Sequence, residues 1–377
     1  MTALKCFLLD NGYTSQSAAP CCHINFTHLA RPDGPIIDSF SKLHSDKRYI
    51  EIKQSMDSGV WHEDCTSCRV VEEVPNTTIE SKRQSTAKYF HALPANDNTN
   101  VGLVDLTLAP GFLCNLQCRS CSPILSSSWI NEERAIPRDM AISLFPYKVE
   151  PVHPNYNYNN DDWSNVRYVT FLGGEPLYNP EFYTQLEKVA NDTGGNCIVS
   201  VVTNCTVRID LKKYHWLNKF KSVQLVFSID SIGRHFEFIR TGANWDKVVK
   251  NIQFYKSIEL FKHGCTSHVT NSILNILEMS TTLDCLESMG VRDSGVITHV
   301  TTPAHLTYSV LTDQEKQEII KRIIGTRSDY NIPVLLEQQY NPTNRANFLL
   351  FMEHTKNYHG MDWKDYLPDL YNIMNGT

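Results

Sequence analysis

The stretch that decides the fold is residues 101–121, with the sequence VGLVDLTLAPGFLCNLQCRSC. It begins with an apolar run, residues 101–108, that predicts a β-strand. Three cysteines, Cys114, Cys118 and Cys121, follow in a C-x3-C-x2-C pattern. Thiolates are the usual ligands of iron–sulfur clusters, so this loop can occupy three corners of a cubane and leave the fourth iron open. A structural zinc site without its fourth ligand is the plainer alternative, although the spacing is narrower than in common zinc pairs.

A second strand-like run ends in a glycine turn at residues 166–176, VRYVTFLGGEP. Paired glycines let the backbone approach a ligand closely because they have no Cβ, and proline ends the turn. Together, the cysteine loop and this turn resemble the radical SAM enzymes. The resemblance implies that the three cysteines hold a [4Fe-4S] cluster and that S-adenosylmethionine chelates its open iron. It also implies that the turn receives the amino group of this cofactor through Gly173, Gly174, Glu175 and Pro176.

From residue 101 onward, apolar strand-like runs alternate with amphipathic helical runs, which is the signature of parallel βα repeats. The resemblance implies an α/β fold, the partial (β/α)6 TIM-like barrel of the radical SAM type. A polar insertion at residues 137–164 either covers the substrate or is a plain surface loop. The predicted strands are residues 102–108, 166–172, 197–202, 222–229, 265–271 and 295–300.

We expect three regions along the chain. Residues 1–98 form a small cysteine-containing N-terminal domain, residues 99–310 form the partial barrel, and residues 311–377 form a C-terminal helical extension. The first boundary follows from residues 91–100, which are polar and contain a proline, as linkers do. The extension begins with a strongly helical pattern for which Asp313 is the predicted N-cap.

Two groups of cysteines lie in the N-terminal region, Cys21 with Cys22 and Cys65 with Cys68. A predicted helix separates the groups, so they can converge in space. The pattern resembles the twitch and SPASM extensions of radical SAM enzymes, here placed before the barrel, and implies an auxiliary iron–sulfur cluster held by these four cysteines. Zinc is the alternative, because C-x2-C is also half of a generic zinc knuckle. Cys6 is interpreted as a core thiol.

Polar residues lie at the ends of several predicted strands, where the resemblance places the cofactor. It implies that Ser228 and Asp230 contact the ribose or the amino acid part of the cofactor. Arg240 can pair with the cofactor carboxylate through its planar fork, and Asn271 can bond the ribose. Taken singly, each is also a common capping or turn residue. Beyond the glycine turn, the predicted cofactor contacts are Thr203, Asn204, Ser228, Asp230, Arg240 and Asn271.

The remaining single cysteines are Cys197, Cys205, Cys265 and Cys285, and we interpret all four as buried thiols. Cys205, at a strand end, has an alternative role as a catalytic thiol or hydrogen-atom donor.

Composition limits the class of protein. The chain has 377 residues, 41% of them hydrophobic, which is enough for a large core. A net charge of −6 without a dominant basic block does not indicate wholesale nucleic-acid binding. The N-terminal apolar run is too short for a secretory signal and no stretch approaches a membrane span, so we expect a cytoplasmic protein without a membrane partner.

The predicted function is that of a radical SAM enzyme that acts on a peptide or protein side chain. The resemblance also implies an electron donor such as flavodoxin or ferredoxin. Two alternatives stay open, namely modification of a small molecule or nucleotide, and a non-catalytic zinc or iron–sulfur scaffold. A scaffold would need neither an open iron nor the glycine turn, so the paired motifs argue against it.

Overall fold

The computed structural model describes residues 4, 6–14, 19–21, 39–73, 81–91, 103–123, 125–144, 161–261, 264–295 and 298–376. Most of the predicted linker, the central part of the polar insertion and Cys22 lie outside these residues. Within the described ranges, no helix combines the length and the apolar character needed to cross a membrane.

A parallel sheet of seven strands forms the centre of an α/β fold. The described residues contain eleven strands, seven of which belong to this sheet. They are β1 (Gly12–Thr14), β2 (Asp105–Leu108), β3 (Gln117–Cys118), β4 (Tyr168–Phe171), β5 (Ile198–Thr203), β6 (Ser222–Ser228), β7 (Arg240–Thr241), β8 (Cys265–His268), β9 (Thr270–Asn271), β10 (Arg292–Asp293) and β11 (Thr298–His299). The sheet has the order β1-β2-β4-β5-β6-β8-β10, and all neighbours in it pair in parallel. Separate two-stranded ladders join β3 to β7 and β9 to β11. This architecture is consistent with a partial TIM-like barrel.

Helices occur between most strands and form the C-terminal part of the chain. They are α1 (Phe7–Asn11), α2 (Phe40–His44), α3 (Lys47–Asp57), α4 (Thr66–Glu73), α5 (Lys82–His91), α6 (Trp129–Ala135), α7 (Arg138–Leu144), α8 (Pro180–Thr193), α9 (Gly233–Ile239), α10 (Trp245–Lys256), α11 (Met279–Ser288), α12 (Asp313–Ile323), α13 (Ile332–Glu337), α14 (Pro342–His359), α15 (Trp363–Tyr366) and α16 (Pro368–Asn375). Short 3-10 helices span Glu63–Cys65, Pro176–Tyr178, His215–Lys219, Ala304–Leu306, Tyr308–Val310 and Asp329–Asn331.

Local sequence explains the ends of the main helices. The Asn179 side chain caps α8 by accepting a hydrogen bond from the Glu181 amide, and Gly194 ends the helix in the left-handed conformation. Helix α12 begins with a capping box formed by Thr312 and Glu315. The predicted N-cap, Asp313, is therefore the first helical residue instead, one position further along.

Five of the predicted strands coincide with β2, β4, β5, β6 and β8, and the first four are rich in β-branched and apolar residues. The predicted strand at residues 295–300 is present in part as β11, but it pairs with β9 in a separate ladder and is not the sixth strand of the main sheet. The edge strands β1 and β10 instead complete the sheet, and both are too short and too polar to give a clear pattern.

Two large hydrophobic cores, and a small third cluster around Met279, hold the described elements together. The first joins the sheet to the N-terminal helices, with Leu9, Leu43 and Ile52 packed in the same cluster as strand residues such as Leu106 and Val199. The second core joins α6 and α9 to the C-terminal helices. Both cores cross the predicted domain boundaries, and the division at residues 98 and 310 stays a prediction.

Candidate active site

The cysteine loop, residues 114–121, follows β2 and is fixed by the segment that comes after it. The Ser128 hydroxyl donates to the Cys114 carbonyl at 2.6 Å, and the Trp129 indole donates to the Cys118 carbonyl at 3.2 Å. Trp129 is fully buried in the second core. These bonds pair the carbonyls of Cys114 and Cys118 and attach the loop to the start of α6.

The glycine turn packs directly against the segment that leads into the cysteine loop. The Gly174 amide donates to the Gly111 carbonyl at 3.0 Å, and the Glu175 amide donates to the Leu113 carbonyl at 2.9 Å. A Cβ on Gly174 would lie 2.4 Å from the Leu113 carbonyl oxygen, and Gly173 has a φ of +123°. The two glycines are therefore required by this close packing and by the backbone conformation.

Glu175 ties the glycine turn to the end of β5. Its buried carboxylate accepts hydrogen bonds from the Thr203 hydroxyl at 2.7 Å, the Asn204 amide at 2.6 Å and the Leu177 amide at 3.1 Å. Burial raises the pKa of Glu175 to about 7, although the three hydrogen bonds favour the ionised form. The side chain that the resemblance assigned to the cofactor thus has a full set of partners within the protein.

A second polar network connects the end of β5 to the cysteine loop. The Asn204 amide group donates to the Asn115 side-chain oxygen at 3.0 Å, and Asn115 donates to the Thr206 hydroxyl at 2.8 Å. The Thr206 hydroxyl donates in turn to the Asn204 side-chain oxygen at 2.6 Å. The loop, the turn and the end of β5 are therefore one hydrogen-bonded unit.

A cavity of about 290 Å³ lies between the cysteine loop, the glycine turn and the carboxyl ends of β5 and β6. Leu116, Leu125, Leu172 and Val202 supply its apolar walls. Carboxyl ends of parallel strands are where open α/β sheets bind ligands. The predicted site residues that line the cavity are Cys114, Cys118, Cys121, Gly173, Gly174, Thr203, Asn204, Ser228 and Arg240.

The remaining predicted cofactor contacts, Glu175, Pro176, Asp230 and Asn271, are not among the described residues that line this cavity. Asp230 forms a buried ion pair with Arg240 at 2.8 Å. The Asn271 side-chain oxygen accepts a hydrogen bond from the Tyr330 hydroxyl at 3.0 Å, and its amide group donates to a backbone carbonyl. Most of the residues predicted for the catalytic site therefore line the cavity, whereas these four do not.

The three thiols of the loop take part in no disulfide bond. Burial raises the pKa of all three, that of Cys118 to about 11, so metal binding would have to displace protons from Cys114, Cys118 and Cys121. In the described part of the chain, no three Cys, His, Asp or Glu side chains converge on the position of a single ion. All three thiols nevertheless lie on the wall of the same cavity. A [4Fe-4S] cubane would take each thiolate on a different iron, so these residue types suit its donor set.

The N-terminal cysteines surround a second, much smaller cavity of about 20 Å³. Cys21, Cys65 and Cys68 line it, and Cys6 lines it with them. Burial, together with the neighbouring thiols, raises the pKa of Cys65 to about 12. Because Cys22 lies outside the described residues, Cys6 is the fourth cysteine that the structure places at this cavity.

Sequence reasoning missed a buried charge cluster behind the cysteine loop. The fully buried Glu132 carboxylate accepts hydrogen bonds from the His354 ring at 2.8 Å, the His359 ring at 2.9 Å and the Gln117 amide group at 2.9 Å. Arg119, within the loop, is also fully buried and its charge acts on Glu132. The position of Arg119 between two cysteines was a usable signal, whereas the histidines lie far away in the sequence and carried none.

No protein-family model matches the chain, and no curated protein matches it. Among solved structures, native anSMEcpe with bound AdoMet is similar with 17% identity and a TM-score of 0.34, over 53% of this chain and 52% of that one. The polyhistidine-tagged form with bound AdoMet has 16% identity and a TM-score of 0.34 over the same shares. Native anSMEcpe with bound AdoMet and Kp18Cys peptide has 13% identity and a TM-score of 0.32, over 68% and 62%. The chain spans about half the length of the first two.

Proposed function

We propose that the protein is a radical SAM enzyme. The observation that carries the proposal is the cavity of about 290 Å³, which is lined by Cys114, Cys118 and Cys121 and also by Gly173 and Gly174. These motifs are far apart in sequence, and only the fold brings them together. A scaffold site without an open position would not need such a cavity beside its thiols.

Cys114, Cys118 and Cys121 would hold a [4Fe-4S] cluster, which would supply the electron for reductive cleavage of S-adenosylmethionine to methionine and a 5′-deoxyadenosyl radical, the species that would take a hydrogen atom from the substrate. The chain's own residues bind and orient the reactants. Ser228, Thr203 and Asn204 present polar groups at the strand ends, the latter two held by Glu175.

We infer that the substrate is a peptide or protein side chain. The support is the N-terminal cysteine pattern, because related twitch and SPASM extensions occur in peptide-modifying radical SAM enzymes. The electron comes from an external donor such as flavodoxin or ferredoxin. The assignment of the barrel to residues 99–310 belongs to the same proposal.

The test is anaerobic reconstitution with iron and sulfide, followed by incubation with S-adenosylmethionine and a chemical reductant. We expect the wild type to produce 5′-deoxyadenosine and Cys118→Ala to produce less than a hundredth as much, because one ligand of the cubane is missing. Cys285→Ala is the matched control, since this half-buried thiol lies in α11 and does not line the cavity. Wild-type cleavage in the Cys118→Ala variant would overturn the proposal.

For the N-terminal site we propose an auxiliary iron–sulfur cluster held by Cys6, Cys21, Cys65 and Cys68. The support is that all four line one cavity and that the pKa values of Cys6 and Cys65 are raised partly by the neighbouring thiols. Zinc is a second candidate here, because a cavity of about 20 Å³ has room for one ion but requires the side chains to move for a cubane.

Metal analysis of a variant without the catalytic thiols separates these two candidates. In a Cys114→Ala, Cys118→Ala, Cys121→Ala background, an auxiliary cluster retains iron, sulfide and a visible charge-transfer band. We expect the further change Cys6→Ala to remove them, because Cys6 lines the cavity with Cys21, Cys65 and Cys68. Zinc without a band would reject the cluster, and iron that is retained in Cys6→Ala but lost in Cys22→Ala would reject Cys6 as the fourth ligand in favour of Cys22.

A further inference from the structure

The short ladder between β3 and β7 places a cation opposite one of the loop thiols. Cys118 and Arg240 are direct partners in this antiparallel pair. Side chains of directly opposite residues project from the same face, with their Cβ atoms roughly 5 Å apart. The Arg119 amide also donates to the Ile239 carbonyl at 2.7 Å, which extends the pairing by one residue. The backbone itself therefore fixes Arg240 beside Cys118.

The two terminal nitrogens of the Arg240 guanidinium contact two different groups of the protein. One terminal nitrogen, Nη1, donates to Cys118 Sγ at 3.5 Å, and the other, Nη2, lies 2.8 Å from Asp230 Oδ2. Asp230 is fixed in turn, because its other carboxylate oxygen accepts from the Thr270 amide at 2.9 Å. Arg240 and Asp230 are both buried. A guanidinium held this way cannot turn to a ligand carboxylate without leaving the Asp230 charge buried and unpaired.

We propose that Arg240 is a positioning residue that holds the Cys118 thiolate and raises the reduction potential of the cluster, with Asp230 as its anchor. The inference rests on the proposed function and assigns Arg240 a role different from pairing with the carboxylate of S-adenosylmethionine. Hydrogen bonds to ligand sulfurs and nearby positive charge stabilise the more negative, reduced form of a cluster. One-electron reduction by the external donor therefore becomes easier.

The test is a redox titration of the reconstituted protein without S-adenosylmethionine, followed by spectroscopy of the reduced cluster. For Arg240→Gln we expect the ratio of reduced to oxidised cluster at a fixed potential to fall at least tenfold, which corresponds to a shift of about 59 mV to lower potential. Arg234→Gln is the matched control, because it removes the same charge from an exposed position in α9 and should leave the potential unchanged. The affinity for S-adenosylmethionine should change less than threefold in Arg240→Gln.

Each outcome of the titration has a distinct meaning. An unchanged potential in loaded Arg240→Gln, with affinity for S-adenosylmethionine lowered tenfold or more, overturns the inference and restores the pairing with the cofactor carboxylate. If Arg240→Gln does not load iron, Arg240→Lys and Asp230→Asn decide the question. Lysine keeps the charge but has no fork, so we expect a smaller fall in potential. Asp230→Asn removes the opposing negative charge and should raise the potential, and no shift in either variant rejects the role. A wild type that binds no iron overturns the proposed function as well.

Discussion

At the scale of single residues, the two glycines of the turn show how packing and function use the same atoms. Gly173 and Gly174 line the cavity, and they also let the turn approach the backbone of residues 111–113. The sequence predicted the first role from the resemblance. It could not reveal the second, because residues 111–113 lie far from the turn in the chain and only the pairing of β2 with β4 brings the two segments together.

We expect Gly174→Ala to destabilise the protein by about 3 kcal/mol, because the new Cβ meets the carbonyl groups of residues 112–113. The φ of Gly174 is outside the left-handed region, so the cost comes from contacts alone. Gly360→Ala is the control for backbone strain without a steric clash, because Gly360 has a φ of +69° and open space around the new Cβ. We expect it to destabilise the protein by about 1 kcal/mol. Urea denaturation of the metal-free protein measures both, and equal costs would contradict the packing argument.

At the scale of elements, the sequence predicted the strands whose own side chains form a core. β2, β4, β5 and β6 carry apolar and β-branched residues whose buried side chains join the first core, and β8 contributes Cys265 to it. β1 and β10 are strands because each pairs with a neighbouring strand of the sheet. Their own residues therefore did not indicate a strand. The contact between α6 and α14 could not be predicted from the sequence either. It depends on hydrogen bonds from His354 and His359 to Glu132, which lies more than two hundred residues earlier in the chain.

Glu132 should make the stability of this link depend on pH. Burial acts to raise the pKa of Glu132, but the hydrogen bonds from His354 and His359 and the charge of Arg119 outweigh it and lower the pKa to about 2. A depressed folded-state pKa contributes stability above the usual value of 4.5 that is lost as pH falls towards 2. We therefore expect the free energy of unfolding of the wild type to exceed that of Glu132→Gln by about 3 kcal/mol at pH 6. Part of this difference should be lost by pH 3.

Denaturant unfolding at several pH values, together with hydrogen exchange of the α14 amides, measures this difference. Glu353→Gln is the matched control, because it makes the same change at an exposed position of α14 and should show no such pH dependence. A constant difference between the wild type and Glu132→Gln from pH 6 to pH 3 would show that the carboxylate charge does not hold the helix.

At the scale of the whole molecule, the C-terminal helices belong to the same packing as the cysteine loop. Phe351 of α14 stacks on Trp129 with 6.3 Å between ring centroids, and its ring lies 5.8 Å from the Arg119 guanidinium. Trp129 holds the Cys118 carbonyl. Sequence patterns predicted C-terminal helices but not this contact, because an amphipathic helix shows which face is buried and not what covers it.

We expect Phe351→Ala to destabilise the protein by about 4 kcal/mol, since the ring is fully buried and the cavity left behind borders Trp129 and Arg119. The neighbouring change Leu350→Ala is the control and should cost less than about 1 kcal/mol, because Leu350 is 37% exposed. If the two cores form one cooperative unit, Phe351→Ala lowers the midpoint of a single urea transition without changing its slope, and it also lowers iron retention at the catalytic loop. Two separate transitions, with iron retained after the first, would show that the C-terminal helices unfold independently and do not support the cysteine loop.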